Sequence, residues 1–278
     1  MTDSSGKHDP PHPRDDPRSV GELISILLSG PDEDLYWDGV CALHWRGSHE
    51  VLDRAVRLCQ SVCAVERRAG ADILGQLGVP DRTFPETCLR TLLNMLVGED
   101  DHDVLQAVLV ALSHLRDPEA IVPASRFRHH PDPDVRHGVV LALTGHEGEQ
   151  ALGVLIELTR DPEAHVRDWA TFALGSQVDV DTPELRDALV GRLSDEDDET
   201  RAEAMVGLAR RGDRWVLTAL RRELASDSVG ALTVEAAALM GDPELHPALL
   251  ALVDWWDVDV GSLGEAIRAC SPRPELTT

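Results

Sequence analysis

The chain has little positive charge and little of it is lysine. Lys+Arg number 26 against 50 Asp+Glu, a formal net charge of −24, and Lys7 is the single lysine. Nucleic-acid binding needs Lys and Arg to displace counterions from phosphates, so this balance argues against DNA, RNA and anionic membrane surfaces. Asparagine occurs once, at Asn94, and the arginine-for-lysine skew fits a GC-rich genome. Long apolar runs are missing too: no stretch approaches the roughly 18 residues needed to cross a bilayer. Met1–Pro17 is polar and proline-rich, with no apolar core, so a signal peptide is not expected and the cytoplasm is the expected compartment. The cysteines number 5, an odd count, which points to reduced and mostly buried thiols rather than a disulfide framework. Cys59 and Cys63 have no further ligand types close in sequence, so no zinc site is expected. Glycine-rich phosphate loops and nucleophile elbows are absent as motifs, and no catalytic, cofactor-binding or metal residue is assigned.

What the chain does have is an internal echo. Segments beginning at Arg67, Arg136, Arg167 and Arg201 share a pattern: a small or short apolar residue three on, another six on (Ile73 excepted), and leucine seven on. Weaker copies start at Tyr36, Leu105, Leu232 and Gly261. These eight lead positions are separated by 31, 38, 31, 31, 34, 31 and 29 residues. A period of that size signals a stacked repeat array, in which each unit packs on its neighbours.

Each unit reads as two helices. Gln150 to Arg160 has apolar residues at helical spacing; Asp161-Pro162-Glu163 breaks it; Val166 to Gly175 forms a second helix with Val166, Ala170, Ala173 and Leu174 on one face. The same pattern divides the chain into units of about 19–47, 48–79, 80–117, 118–147, 148–179, 180–212, 213–242 and 243–272. Residues 1–18 read as a disordered polar tail and 273–278 as a C-terminal tail.

The pattern of apolar helix, Asp-Pro turn and Val-Arg-x-x-Ala-x-x-Ala-Leu-Gly resembles HEAT repeats, especially the short bacterial PBS-lyase HEAT-like kind, over about 250 residues. The resemblance implies an all-α, right-handed α-solenoid of about eight helix pairs. It does not by itself imply a function. In such stacks a turn aspartate commonly pairs with the arginine that opens the second helix, in its own or the next repeat. Asp132 with Arg136, Asp161 with Arg167, and Asp195 with Arg201 fit that pattern. HEAT-like enzymes offer precedents that fit poorly. Only two His-Glu pairs occur, His49-Glu50 and His146-Glu147, where an iron hydroxylase would want four at symmetric positions. The acidic charge opposes a DNA glycosylase.

Two features remain as candidate binding surfaces. The turns are acidic, most of all at Asp100, Asp101 and the run Asp195, Glu196, Asp197, Asp198 and Glu199, and equivalent turns of a solenoid share one edge. They are expected to form a negative ridge. The second helix of each unit lines the concave face in HEAT-like stacks, so residues one, two and five after each lead position should face it. These include Trp37, Arg68, Asp72, Gln106, His137, Asp168, Trp169, Phe172, Glu203 and Val206. Exposed aromatics among charges are common interface anchors. Trp255 and Trp256 belong to the last turn and are expected to close the end of the core. The expected function is non-catalytic binding of a protein or peptide, basic in character, by an adaptor, scaffold or inhibitor. The alternative is an accessory enzyme such as a HEAT-like cofactor lyase or a metal-dependent enzyme.

Overall fold

The structure, a computed structural model, describes residues 12–30 and 32–272. The expected C-terminal tail and the first part of the N-terminal tail lie outside the described residues. Among the described residues there are sixteen α-helices and no strand. They are α1 (Val20–Leu28), α2 (Glu33–Arg46), α3 (His49–Cys59), α4 (Ala64–Gly75), α5 (Pro85–Met95), α6 (His102–Leu115), α7 (Ile121–Ser125) and α8 (Pro133–Leu143). There follow α9 (Glu149–Leu158), α10 (Ala164–Ser176), α11 (Pro183–Arg192), α12 (Asp198–Arg210), α13 (Val216–Leu224), α14 (Ala231–Met240), α15 (His246–Leu252) and α16 (Val260–Ala269). Odd-numbered helices are the A helices and even-numbered the B helices of successive repeats.

Local sequence explains where these helices start. Ser19 and Glu22 form a capping box on α1, and Asp32, Asp101, Asp132 and Asp197 cap α2, α6, α8 and α12 through their side chains. The acidic turns therefore begin as helix caps, before any role as a surface.

The helices divide into two units at Ala124 and Ser125, each with its own internal packing. In the first, α2, α4 and α6 form the B layer; in the second, α8, α10, α12, α14 and α16 do. Within the second unit, α10 packs on its A helix α9 and on the neighbouring B helices α8 and α12. In α10 this hides Val166, Ala170, Ala173 and Leu174, the face expected from sequence, together with Arg167, Thr171 and Gly175. Truncating a buried leucine such as Leu174 to alanine typically costs about 2–5 kcal/mol. Two glycines set the distance between α10 and α12. A Cβ on Gly207 would lie 2.6 Å from the Cα of Gly175, so the two backbones touch where any side chain would separate them.

The tail assignment fails over residues 12–18. Pro13–Asp15 is a single 3-10 turn on α2. The Arg46 guanidinium donates to the carbonyls of Asp16, at 2.9 Å, and Arg18. His12 packs edge-on against Trp45 with ring centres 4.5 Å apart. Polar composition suggested disorder, but a basic helix end beside an aromatic ring supplies both hydrogen-bond donors and a packing surface.

Candidate functional site

The repeated arginines are structural, and each joins two repeats. Nη1 of Arg136 donates to the carbonyls of His130 and Pro131 in its own turn, at 2.9 and 3.1 Å. Its Nε and Nη2 form a two-point pair with Asp161 of the next turn, both at 2.7 Å. Arg167 repeats the scheme, with the carbonyls of Asp161 and Pro162 on one side and both Asp195 oxygens, at 2.9 and 3.0 Å, on the other. Arg67 does so with Ser61 and Val62 carbonyls and both Glu99 oxygens, while Arg201 holds the Asp195 and Glu196 carbonyls and reaches Glu223 through Nε alone, its Nη2 donating to Asp198. The carboxylate partner across repeats is thus always in the following one. The within-turn pairs expected from sequence, Asp161 with Arg167 and Asp195 with Arg201, are instead backbone contacts, because the guanidinium fork faces forward while Nη1 closes the turn behind it.

This ladder divides the acidic turns into two kinds. The Asp195 side chain is only 4% exposed, held between Arg167 and Arg192. It therefore does not belong to an exposed ridge, and although burial raises its carboxyl, the Arg167 guanidinium and the Asp197 N–H hold it below the usual range. Asp161 is likewise buried. Asp101 and Asp197 spend a carboxylate oxygen on capping. Asp100, Glu196, Asp198 and Glu199 are exposed, with Asp198 also paired to Arg201 at 2.6 Å.

The outer side of the B layer looks different in the two units. In the second unit an aromatic strip runs across α8 and α10. Trp169 is 39% exposed and sits 5.4 Å from the His137 ring and 5.7 Å from the Phe172 ring; His165 lies 5.6 Å from His137 on the other side. Burial, with His165 close by, pulls the His137 pKa below the usual histidine value, so its ring is neutral at pH 7. Asp168 precedes Trp169, and Glu203 occupies on α12 the repeat position that Trp169 occupies on α10. Burial pushes the Asp168 carboxyl up to about 6, aided by Glu199 and Asp197. Burial likewise pushes Glu203 up to about 7, aided by Asp168, Glu235 and Glu199. Among the described residues neither has an ion-pair partner, and Oδ1 of Asp168 and Nε2 of His137 are buried without a hydrogen bond. Such atoms are costly to leave unmet. Val206, expected on this face, is only 3% exposed and belongs to the core, since α14 packs over that side of α12.

In the first unit the same layer is already satisfied. The Arg68 guanidinium lies 5.6 Å over the Tyr36 ring and 3.7 Å from Asp72. The Tyr36 hydroxyl donates to Asp72 at 2.5 Å, and His44 Nε2 donates to the Asp72 carbonyl at 2.9 Å. Burial raises the Asp72 carboxyl, while the Tyr36 hydroxyl and Arg68 oppose the rise. Trp37, 44% exposed, stands edge-on to Tyr36, and Gln106 is half-buried on α6. Sequence reasoning does not mark Tyr36 as a site residue, although it occupies the lead position that carries arginine in stronger repeats. A pocket of about 260 Å³ opens here, lined by Leu27, Tyr36, Val65, Arg68, Asp101 and Asp103.

Elsewhere the candidates weaken. A depression of about 480 Å³ is lined by the exposed Trp215, but two of its three carboxylates, Asp181 and Asp213, are paired with Arg186 at 2.6 and 2.9 Å. Trp256 is buried, its indole N–H donating to the Val229 carbonyl at 2.7 Å, whereas Trp255 is half exposed and does not close the core. Cys59, Cys88 and Cys270 are buried; Cys41 and Cys63 are exposed. Burial raises the Cys59 thiol to about 12 and Cys88 to about 11, which removes their nucleophilicity at neutral pH. Among the described residues no three His, Cys, Asp or Glu side chains converge as a metal site, and no helix is long and apolar enough to cross a membrane.

Known proteins match this architecture. Protein YibA of Escherichia coli (strain K12) is 28% identical over 214 residues, covering 74% of this chain and 75% of that protein. The X-ray structure of E. coli YibA superposes with a TM-score of 0.76 at 25% identity, covering 91% of this chain and 92% of that one. An engineered protein shares the fold at a TM-score of 0.53 and 19% identity, over 90% of this chain and 77% of its own. The sequence signature of HEAT repeats matches residues 89–175, 123–209 and 154–241, together more than half of the chain. The chain belongs to the HEAT-repeat family.

Proposed function

We propose that this chain is a non-catalytic adaptor, scaffold or inhibitor that binds a basic protein or peptide on the B-helix face of its second unit. One observation carries the reading: the exposed Trp169 on α10 follows the half-buried Asp168, and the half-buried Glu203 holds the matching position on the packed neighbour α12, with neither carboxylate in an ion pair among the described residues. Aromatic side chains flanked by unmet charge are energetically suited to anchor a partner. The exposed acids Glu196, Asp198 and Glu199, next to this face on α12 and its turn, favour encounter with positive charge. Arg68 and Asp72 are excluded as anchors because they neutralise each other.

Native purification at low and high salt, comparing the wild type with Trp169→Leu, tests the proposal. The expected result is a stoichiometric basic polypeptide that is held at low salt, released at high salt, and absent from the variant. A partner retained by Trp169→Leu would remove this face from the reading. A partner indifferent to salt would remove its electrostatic part.

A further inference from the structure

The B layers of the two units correspond position by position, and one of them holds a worked example of what the other lacks. Arg68 stands one residue after the lead position on α4. Its guanidinium lies over an aromatic ring and beside a carboxylate, Tyr36 and Asp72. His137 and Asp168 occupy the equivalent place on α8 and α10, so the second unit presents an aromatic platform and carboxylates where the first presents an arginine. We infer that the Trp169 face of the second unit is a subsite for an arginine side chain of the partner polypeptide, with the guanidinium stacked on Trp169 and its N–H groups directed to Asp168 and Glu203.

This rests on the reading of that face as a binding surface and adds the chemistry of its occupant. Three observations favour arginine over a generic cation. Tryptophan offers the strongest cation–π face of the aromatic residues, and a planar guanidinium stacks on it as an ammonium cannot. Asp168 and Glu203 stand on the adjacent, packed helices α10 and α12, with Oδ1 of Asp168 buried and without a hydrogen bond, so one delocalised cation with a five-donor fork can bridge them. Finally, the first unit shows that this layer accommodates a guanidinium over an aromatic ring and beside a carboxylate, Arg68 with Tyr36 and Asp72. Asp168 and Glu203 have no ion-pair partner among the described residues, so an incoming guanidinium displaces no existing pair.

The test uses the full chain and Gly/Ser host peptides carrying a central run of arginine, lysine or citrulline. Calorimetry reads the affinity, and the indole N–H resonance of Trp169, identified by its loss in Trp169→Phe, reads the location. The arginine peptide is expected to bind about tenfold more tightly than the lysine peptide, with no measurable citrulline binding and a shift of the Trp169 resonance. Asp168→Asn with Glu203→Gln, isosteric changes that keep the helix intact by circular dichroism, should reduce the arginine peptide's affinity about tenfold or more. Lysine binding as tight as arginine, no arginine binding, or binding that leaves the Trp169 resonance in place each overturns the inference. None of these results removes the proposed binding face itself, which falls only if the natural partner is retained by Trp169→Leu.

Discussion

In the first unit Arg68 covers Tyr36 and neutralises Asp72; at the corresponding register in the second, Asp168 adjoins Trp169 and repels Glu203. Both layers come from the same repeat and the same helix packing. The difference lies in which residue stands one place after the lead position, a site exposed enough to vary without disturbing the core. A repeat fold separates the two demands: positions three, six and seven after the lead residue hold the stack together, and positions one and two are free to become a surface. In one layer that freedom yields internal pairing, in the other an unmet charge.

The arginine ladder lies beneath both layers, and the largest effect should come from breaking it. Arg167→Leu leaves Asp195 buried with a single remaining cation, Arg192, and strips Nη1 from the turn carbonyls. Loss of one partner from a buried pair is expected to cost about 3–5 kcal/mol, measured by urea unfolding. Arg67→Leu should cost less, because the Arg67 side chain is 19% exposed where that of Arg167 is 8%. Equal losses would show that the first unit depends on its single described rung as heavily as the second depends on its three.

Asp168→Arg would make the second layer imitate the first. The new guanidinium can stack on Trp169 and meet Glu203, filling the site from within. Partner binding is expected to fall about a hundredfold, equivalent to about 2.7 kcal/mol, while folding stability holds or rises. Titration of the partner against the variant reads the first effect and urea unfolding the second. Undiminished binding would mean that the carboxylate is not part of the contact.

A smaller effect concerns pH. Asp168 and Glu203 have folded-state pKa values raised to about 6 and about 7, above those of the unfolded chain. The folded protein therefore binds more protons between about pH 4 and pH 7, and these groups weaken the fold as pH rises through that window. Asp168→Asn with Glu203→Gln should match the wild type near pH 4 and exceed it at pH 8 by about 1 kcal/mol, after discounting for their partial exposure. A variant less stable at pH 8 would show that the carboxylates have a cationic partner after all. The smallest effect is expected from Arg68→Gln, about 0.5 kcal/mol or less, because the Arg68 side chain is 44% exposed. The informative readout there is the Asp72 carboxyl, whose pKa should rise further once Arg68 no longer opposes burial.

The residues legible from sequence alone are those that recur. Leucine seven places after each lead arginine, the short apolar residues at three and six, and the Asp-Pro turns determined the helix pairs and the HEAT character, because core packing is the same problem solved in every repeat. The exposed Trp37 and Trp169 were legible by the same count. Tertiary structure decided everything that depends on the neighbouring repeat. It joined Asp161 and Asp195 to the arginine of the preceding repeat and took them out of the acidic ridge, drew Val206 into the core, and held residues 12–18 against α2. It also settled which carboxylates are partnered, Asp72 by the Arg68 cation and the Tyr36 hydroxyl, and which have no ion pair among the described residues, Asp168 and Glu203. Periodicity reports what each helix buries against its own pair. Charge pairing between residues about 30 apart depends on where a flexible guanidinium can reach, and that is set only once adjacent repeats are in contact.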